Sequence, residues 1–166
     1  QLPIIREVIE ALNIPILEQS GYEADDIIGT MAKKAEAAGM DVTVVTGDKD
    51  ALQLVSPNIR VDPRSCRGVS EEGFTFDERA VKERYGVGPD RIVDIMGLMG
   101  DKVDNIPGVP GIGKKTAPKL IEQFGSLEEL LDHVDELKSE KQKSLLKEYR
   151  DQALLSKRLA TIDVNV

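Results

Sequence analysis

Residues 21–50, GYEADDIIGTMAKKAEAAGMDVTVVTGDKD, change period half-way along. Over residues 24–38 the apolar positions Ile27, Ile28, Met31 and Ala35 recur at helical offsets, which predicts a helix with that face inward, closed by Gly39 just past its C-cap. Over residues 41–46 the run DVTVVT is β-branched and lies between Gly39 and Gly47, the pattern of a buried strand in a helix-covered sheet. A helix feeding such a strand predicts an α/β fold with a parallel sheet. In that architecture the carboxyl ends of strands and the amino ends of the following helices share one edge, where ligands bind.

Working outward, residues 3–12 carry Ile4, Ile5, Val8, Ile9 and Leu12 on one helical face, so an amphipathic helix ends before Asn13 and Pro15. A short apolar stretch, residues 14–17, and the loop EQSGY follow. Beyond the strand come a short helical ALQLVS, an edge strand at residues 59–61 and a polar loop, DPRSCRGVSEEG. Two short helices are expected at residues 77–85, with Asp77 as N-cap, and 89–98. After the Gly/Pro-rich GDKVDNIPGVPGIGKKTA the pattern is helical. Ser126 and Glu129 fit a capping box opening a helix to about residue 137, and another helix is expected near residues 141–160.

Three acid clusters fall at points where this layout gathers side chains: Glu23, Asp25 and Asp26 at a helix start, Asp48 and Asp50 just past a strand, and Asp101 and Asp104 beside the Gly/Pro segment. Singly, each has a plain structural explanation: a first-turn acid answering the helix dipole, a turn former, an N-cap. Together they put seven carboxylates on one edge. Like charges so close stay ionised only with cations between them, and a hard oxygen donor set selects Mg2+ or Mn2+. Two such ions roughly 4 Å apart would flank a phosphodiester and stabilise both its attacking and its leaving oxygen. D-x-D off a strand end and D-x-x-D on a helical turn each aim two carboxylates the same way. An Asp-x-Asp after a strand also occurs in haloacid-dehalogenase-type phosphoryl transfer, with the first Asp, here Asp48, as nucleophile.

Residues 106–125, IPGVPGIGKKTAPKLIEQFG, set Gly108, Gly111 and Gly113 directly before a helix expected to open with Lys114, Lys115 and Thr116. Free amides at such a start attract anions. A Walker loop is excluded because Lys115 stands where Ser or Thr is required and no strand immediately precedes. Glycines that let a backbone approach, with lysines beside them, fit a sequence-independent hold on nucleic-acid phosphates. Pro118 would forfeit a hydrogen bond and crowd a helix begun at Gly113, costing roughly 3 kcal/mol unless the helix starts later. Lys102, between the paired acids, is read as an internal ion-pair partner rather than a phosphate ligand.

Composition sets the bounds. The chain has 166 residues, 40% hydrophobic and 31% charged, and no apolar run long enough for a membrane helix. With 22 basic and 30 acidic residues the net charge is −8, which by itself argues against a nucleic-acid partner. Setting the seven clustered acids aside from the 30 leaves 23 against 22 basic residues, so the remainder is close to neutral and a phosphate-bearing partner stays open. One cysteine, Cys66, and one histidine, His133, exclude a disulfide framework and make a Cys- or His-based metal centre or triad improbable; a reducing, cytoplasmic setting is expected. The opening QLPIIREVIE lacks a charged leader and apolar core, so no signal peptide is expected and the start reads as lying within a longer protein. Cys66, His133 and Tyr85 carry no expected function.

GYEADDIIGTMAKKA, VTGDKDALQLVS and GLMGDKVDNIPGVPGIGKKTA, continuing through FGSLEELL and ALLSKRLATI, resemble the 5′ nuclease domains of bacterial DNA polymerases I, within the flap endonuclease superfamily. The resemblance covers nearly the whole chain. It implies a PIN-like α/β part over residues 1–99, a parallel sheet with flanking helices incomplete at the N-terminus, and a helical helix-hairpin-helix type DNA-binding region over residues 100–166. It further implies a metal-dependent enzyme cutting DNA at 5′ flaps or 5′ ends by structure rather than sequence. Metal ligands would be Glu23, Asp25, Asp26, Asp48, Asp50, Asp101 and Asp104, with Gly108, Gly111, Gly113, Lys114, Lys115 and Thr116 on the duplex backbone and K+ at that turn. Family members begin with an aspartate-bearing strand and a Lys/Arg-rich arch, neither of which lies in these 166 residues. The expectation is therefore a fragment of a two-metal nuclease, completed by an N-terminal segment and accompanied by a polymerase domain. The competing expectation is a noncatalytic DNA-backbone-binding module.

Overall fold

The computed structural model describes residues 2–63 and 74–166. Most of the polar loop expected at 62–73, Cys66 included, lies outside the described residues.

The first helix, α1 (Leu2–Ala11), forms where the Ile/Val stripe demands it, but no residue in it is buried. Leu2, Ile4, Ile5 and Val8 are each at least half exposed. The second helix, α2 (Ala24–Ala37), ends at Gly39, whose φ of 79° lets the Met40 amide donate back to the Ala35 carbonyl. Its buried residues are Gly29, Thr30 and Ala32, not the expected stripe: Ile27, Ile28 and Ala35 are half-buried and Met31 is exposed. The reason is close approach. A Cβ on Gly29 would sit 2.7 Å from Ile162 Cγ2, so the smallest residue of the helix, not its largest apolar ones, meets the body of the protein. Ile27 and Met31 instead line an open apolar groove with Leu17 and Tyr22.

The sheet has two parallel strands, β1 (Val42–Val45) and β2 (Ile59–Asp62), with Val42 opposite Ile59 and Val45 opposite Asp62. β1 is not the fully covered strand its composition predicts, because Val44 is buried while Val45 is exposed. The crossover between the strands is a 3-10 helix, Lys49–Leu54, which inserts Ala51, Leu52 and Leu54 into the core.

Asp77 caps α3 (Glu78–Tyr85) by accepting the Ala80 amide hydrogen at 2.8 Å, as its position predicts. A 3-10 turn, Pro89–Arg91, leads into α4 (Ile92–Met99), which buries Ile92, Ile95, Met96 and Leu98. The remaining helices are α5 (Ala117–Phe124), α6 (Leu127–Asp132), α7 (Glu140–Glu148) and α8 (Arg150–Ala160). Ser126 caps α6 through the Glu129 amide, but α6 is shorter than expected and a 3-10 turn, Val134–Glu136, completes the run. The single helix expected near 141–160 breaks at Tyr149, with φ −103° and ψ 21°. Tyr85 packs half-buried against the core and His133 is exposed.

α4 is the spine, laid against α8 across Gly97, where a Cβ would meet Leu127 Cδ2 and Lys157 Cβ, each at 2.9 Å. Beside that contact Asp94, 1% exposed, accepts from Lys157 Nζ at 2.6 Å and from the Leu127 amide at 3.1 Å. Lys157 also reaches Glu128 at 2.7 Å, so one buried carboxylate ties α4, α6 and α8 together. Residues 162–166 return to α2: the Asp163 amide donates to Asp26 Oδ1 at 2.9 Å and the Val166 amide to Thr30 Oγ1 at 3.1 Å. No helix among the described residues is long and apolar enough to cross a membrane.

Candidate functional site

Glu23, Asp25 and Asp26 stand at the start of α2 because an extended Glu23 precedes its first turn, and Asp26 accepts the Glu23 amide at 3.2 Å. Asp48 leaves the end of β1, caps the 3-10 helix by accepting the Asp50 amide at 2.9 Å, and thereby turns Asp50 toward the protein. Burial first, then the charges of Asp48, Glu23, Asp26 and Asp104, push the Asp25 carboxyl above its ordinary range. Burial likewise raises Asp50, with Asp48 and Asp104 adding to it and Lys49 opposing, to about 6. The three clusters, 81 positions apart in sequence at their extremes, thus lie within one another's field.

Asp101 and Asp104 do not share a helical turn, as their spacing suggests. They occupy a tight loop closed by paired backbone hydrogen bonds between Asp101 and Ile106, at 2.8 and 2.7 Å, with Asn105 at φ 58°. Asp101 is buried and accepts the Val103 amide at 2.7 Å, whereas Asp104 is exposed. The cation paired with Asp101 is Lys49, from the other side of the cluster, and not Lys102, which makes no ion pair among the described residues. That hydrogen bond to Lys49 is the main reason Asp101 stays below the usual carboxylate range. Sequence reasoning passes over Lys49 because it sits inside a motif read for its acids. It also passes over Asp62, fully buried at the carboxyl end of β2 on the same edge.

The donor set is all oxygen, suited to a hard divalent cation rather than a soft one. Asp50 Oδ1 is buried with no hydrogen-bond partner, the Lys49 ammonium standing 3.5 Å away, so its lone pairs are available to a cation. Yet among the described residues no three His, Cys, Asp or Glu side chains stand close enough to hold one ion as they are. Asp26 has an amide donor on each oxygen, from Glu23 and from Asp163. The acids fit such an ion in kind, with side-chain adjustment needed for them to close on it.

In the Gly/Pro segment, α5 starts only at Ala117, so Lys114, Lys115 and Thr116 form a turn ahead of the helix instead of its first residues. The late start places Pro118 within the first turn, where its missing amide costs nothing. Gly111, at φ 83°, and Gly113 are exposed, as are both lysines. Gly108 differs: it is buried, its amide donates to Ser156 Oγ at 3.0 Å and its carbonyl accepts from Gln152 Nε2 at 2.6 Å. It anchors the loop to α8 and has no amide to offer a phosphate. Lys115 and Thr116 continue into a groove of about 570 Å3 with Lys119, Lys138 and Ser139. Lys119 and Lys138 escape sequence reasoning, although Lys119 lies one helical turn beyond Lys115.

An acid-edged α/β half joined to a helical half with a basic turn is the arrangement of a family defined by two successive modules. Residues 1–86 match the model of the 5′-3′ exonuclease N-terminal resolvase-like domain, and residues 87–166 match that of the 5′-3′ exonuclease C-terminal SAM fold. The chain belongs to the 5′-3′ exonuclease family. Its relatives include DNA polymerase I of Bacillus caldotenax, 51% identical, and that of Geobacillus stearothermophilus, 52% identical, each over 166 residues and 98% of this chain. The chain spans 18% of the length of those relatives. Among solved structures, the phage T5 5′-exonuclease with bound zinc superposes with a TM-score of 0.82 at 21% identity, covering 98% of this chain and 58% of that one. The catalytic core of Rad2 in complex with DNA substrate superposes at 0.60 with 16% identity, covering 99% and 56%. At such identities these two establish the shared fold.

Proposed function

We propose that this chain supplies the acid edge and the DNA grip of a structure-specific 5′ nuclease that hydrolyses DNA phosphodiesters at 5′ flaps or 5′ ends, working as part of a longer polymerase I-type protein. The observation that carries the reading is Asp50, a half-buried carboxylate in the field of Lys49, Asp48 and Asp104, whose buried Oδ1 accepts no hydrogen bond and has only the Lys49 ammonium, at 3.5 Å, beside it. Mg2+ or Mn2+ bound there, as one or two ions, would lower the pKa of water and offset charge on the departing 3′ oxygen. Glu23, Asp25, Asp26, Asp48, Asp50, Asp101 and Asp104 are the residues assigned to hold it, Asp48 and Asp50 from within residues 1–99 and the last pair at the junction with residues 100–166. Gly111, Gly113, Lys114, Lys115 and Thr116 hold the duplex backbone, with the lysines neutralising phosphates and the open glycines admitting close approach; K+ among the carbonyls of that turn would add to the hold. An N-terminal segment supplied by the parent protein would complete the ligand set.

The absence of a preformed three-ligand group among the described residues favours a second reading, a DNA-holding module without cleavage. One experiment separates them: a labelled 5′-flap duplex with the chain in Mg2+ or Mn2+, against EDTA and the Asp48→Asn/Asp50→Asn double variant. Junction cleavage lost in both controls, with duplex binding retained, supports the nuclease. Binding with no cleavage under either metal, alone or with the N-terminal segment supplied, supports the module.

A further inference from the structure

The acid cluster contains its own cation. Lys49 opens the 3-10 helix between Asp48 and Asp50, and its ammonium hydrogen-bonds Asp101, 52 positions away, while standing 3.5 Å from Asp50 Oδ1. Among the described residues no other Lys or Arg makes an ion pair with any of the seven acids. The two carboxylates it bridges have side chains only 14% and 7% exposed, and Asp101 is fixed from behind by the Val103 amide. The bridge is uneven: Asp101 receives a hydrogen bond, but Asp50 Oδ1 receives only the charge. Lys49 itself is 42% exposed, so its four-carbon stem can swing the ammonium into water without disturbing the core.

A single charge held on a flexible arm and a divalent cation ask for the same oxygens. We propose that Lys49 is the resident counterion of this cluster: it holds Asp50 and Asp101 together in the metal-free protein and is displaced when a divalent cation binds. The inference rests on the reading of the acids as a metal site. It assigns Lys49 a positioning role, keeping two carboxylates from separate elements near one another until the ion arrives.

The test is Mn2+ binding by calorimetry, with thermal unfolding in EDTA and in Mn2+, for the wild-type chain, Lys49→Met, Lys49→Arg and Asp50→Asn. Lys49→Met is expected to bind Mn2+ about tenfold tighter or more, a modest part of the interaction between unit charges at these distances. Its melting temperature should fall in EDTA and recover in Mn2+, while Lys49→Arg, keeping the charge, stays within about threefold of wild type. Wild-type binding that Asp50→Asn weakens but Lys49→Met leaves equal or weaker would overturn the role of Lys49 and leave the metal site standing. Binding unaffected by Asp50→Asn, or absent from both wild type and Lys49→Met, would overturn the metal reading and this inference together. Should Lys49→Met fail to fold, Lys49→Gln provides the same neutral comparison.

Discussion

Gly100 and Gly108 meet backbone to backbone: a Cβ on Gly108 would lie 2.3 Å from the Gly100 nitrogen, and one on Gly100 would lie 2.7 Å from the Gly108 nitrogen. Both adopt positive φ, 66° and 60°, and the Val109 amide donates to the Leu98 carbonyl at 2.7 Å across the same junction. Neither backbone can retreat, since Gly108 is bonded to Ser156 and Gln152. Alanine at either position is expected to cost more than about 4 kcal/mol, read as a urea midpoint. Gly113, with nothing within 4 Å of its would-be Cβ, should accept alanine within about 1 kcal/mol.

Asp50 gives the metal-free protein an unusual pH dependence. Its carboxyl is raised in the fold from 3.8 to about 6, so the folded state binds more protons than the unfolded state between those values, and the Asp50 contribution to stability falls as pH rises through that window. Asp101, lowered by Lys49, contributes with the opposite sign and is lost toward acid. Thermal unfolding in EDTA from pH 4 to 7 should separate them: the melting temperature of Asp50→Asn minus that of wild type grows with pH and levels off above about 6. A flat difference would mean Asp50 ionises normally.

Lys157→Met is expected to destabilise the chain by about 3 kcal/mol, because it leaves the buried Asp94 carboxylate with only Arg91, at 3.7 Å, and the Leu127 amide. Asp94→Asn keeps the shape and that amide bond, so it should cost less, and the double variant should cost less than the sum of the two. Chemical denaturation of the three variants measures the coupling.

Lys114→Ala and Lys115→Ala should weaken duplex binding for all sequences alike, and each should reduce the slope of log Kd against log salt by about 0.9. Both side chains are exposed and the protein's stability should not change. Fluorescence anisotropy at several salt concentrations gives both numbers; an unchanged slope would place the duplex elsewhere.

Most helices, their caps at Asp77, Ser126 and Gly39, and the β-branched β1 are legible in sequence because each depends on neighbours a few residues apart, whereas the break at Tyr149 and the late start of α5 are not. What could not be read is set by distant partners. The inward face of α2 follows Ile162 and the role of Gly108 follows Ser156 and Gln152, while the partner of Asp101 is Lys49. Three glycines that look equivalent in IPGVPGIG divide into one buried anchor and two open positions only once α8 is in place. Of the seven acids, sequence identifies the gathering but not that Asp101 and Asp104 sit in a closed loop, nor that Asp26 is already held at both oxygens.

The return of residues 162–166 to α2 has a consequence for how the chain acquires its structure. Asp26 and Asp163 are 137 positions apart, and closing a loop of that length is slow compared with forming any helix here. During synthesis α2 emerges before Ile162 and Val164, which pack on its glycine-centred face, and it gains that cover only once residues 162–166 have been made. The two modules therefore do not mature one after the other: the earlier one waits for residues 162–166 of the later one, and detachment of that segment should loosen the acid-bearing helix first.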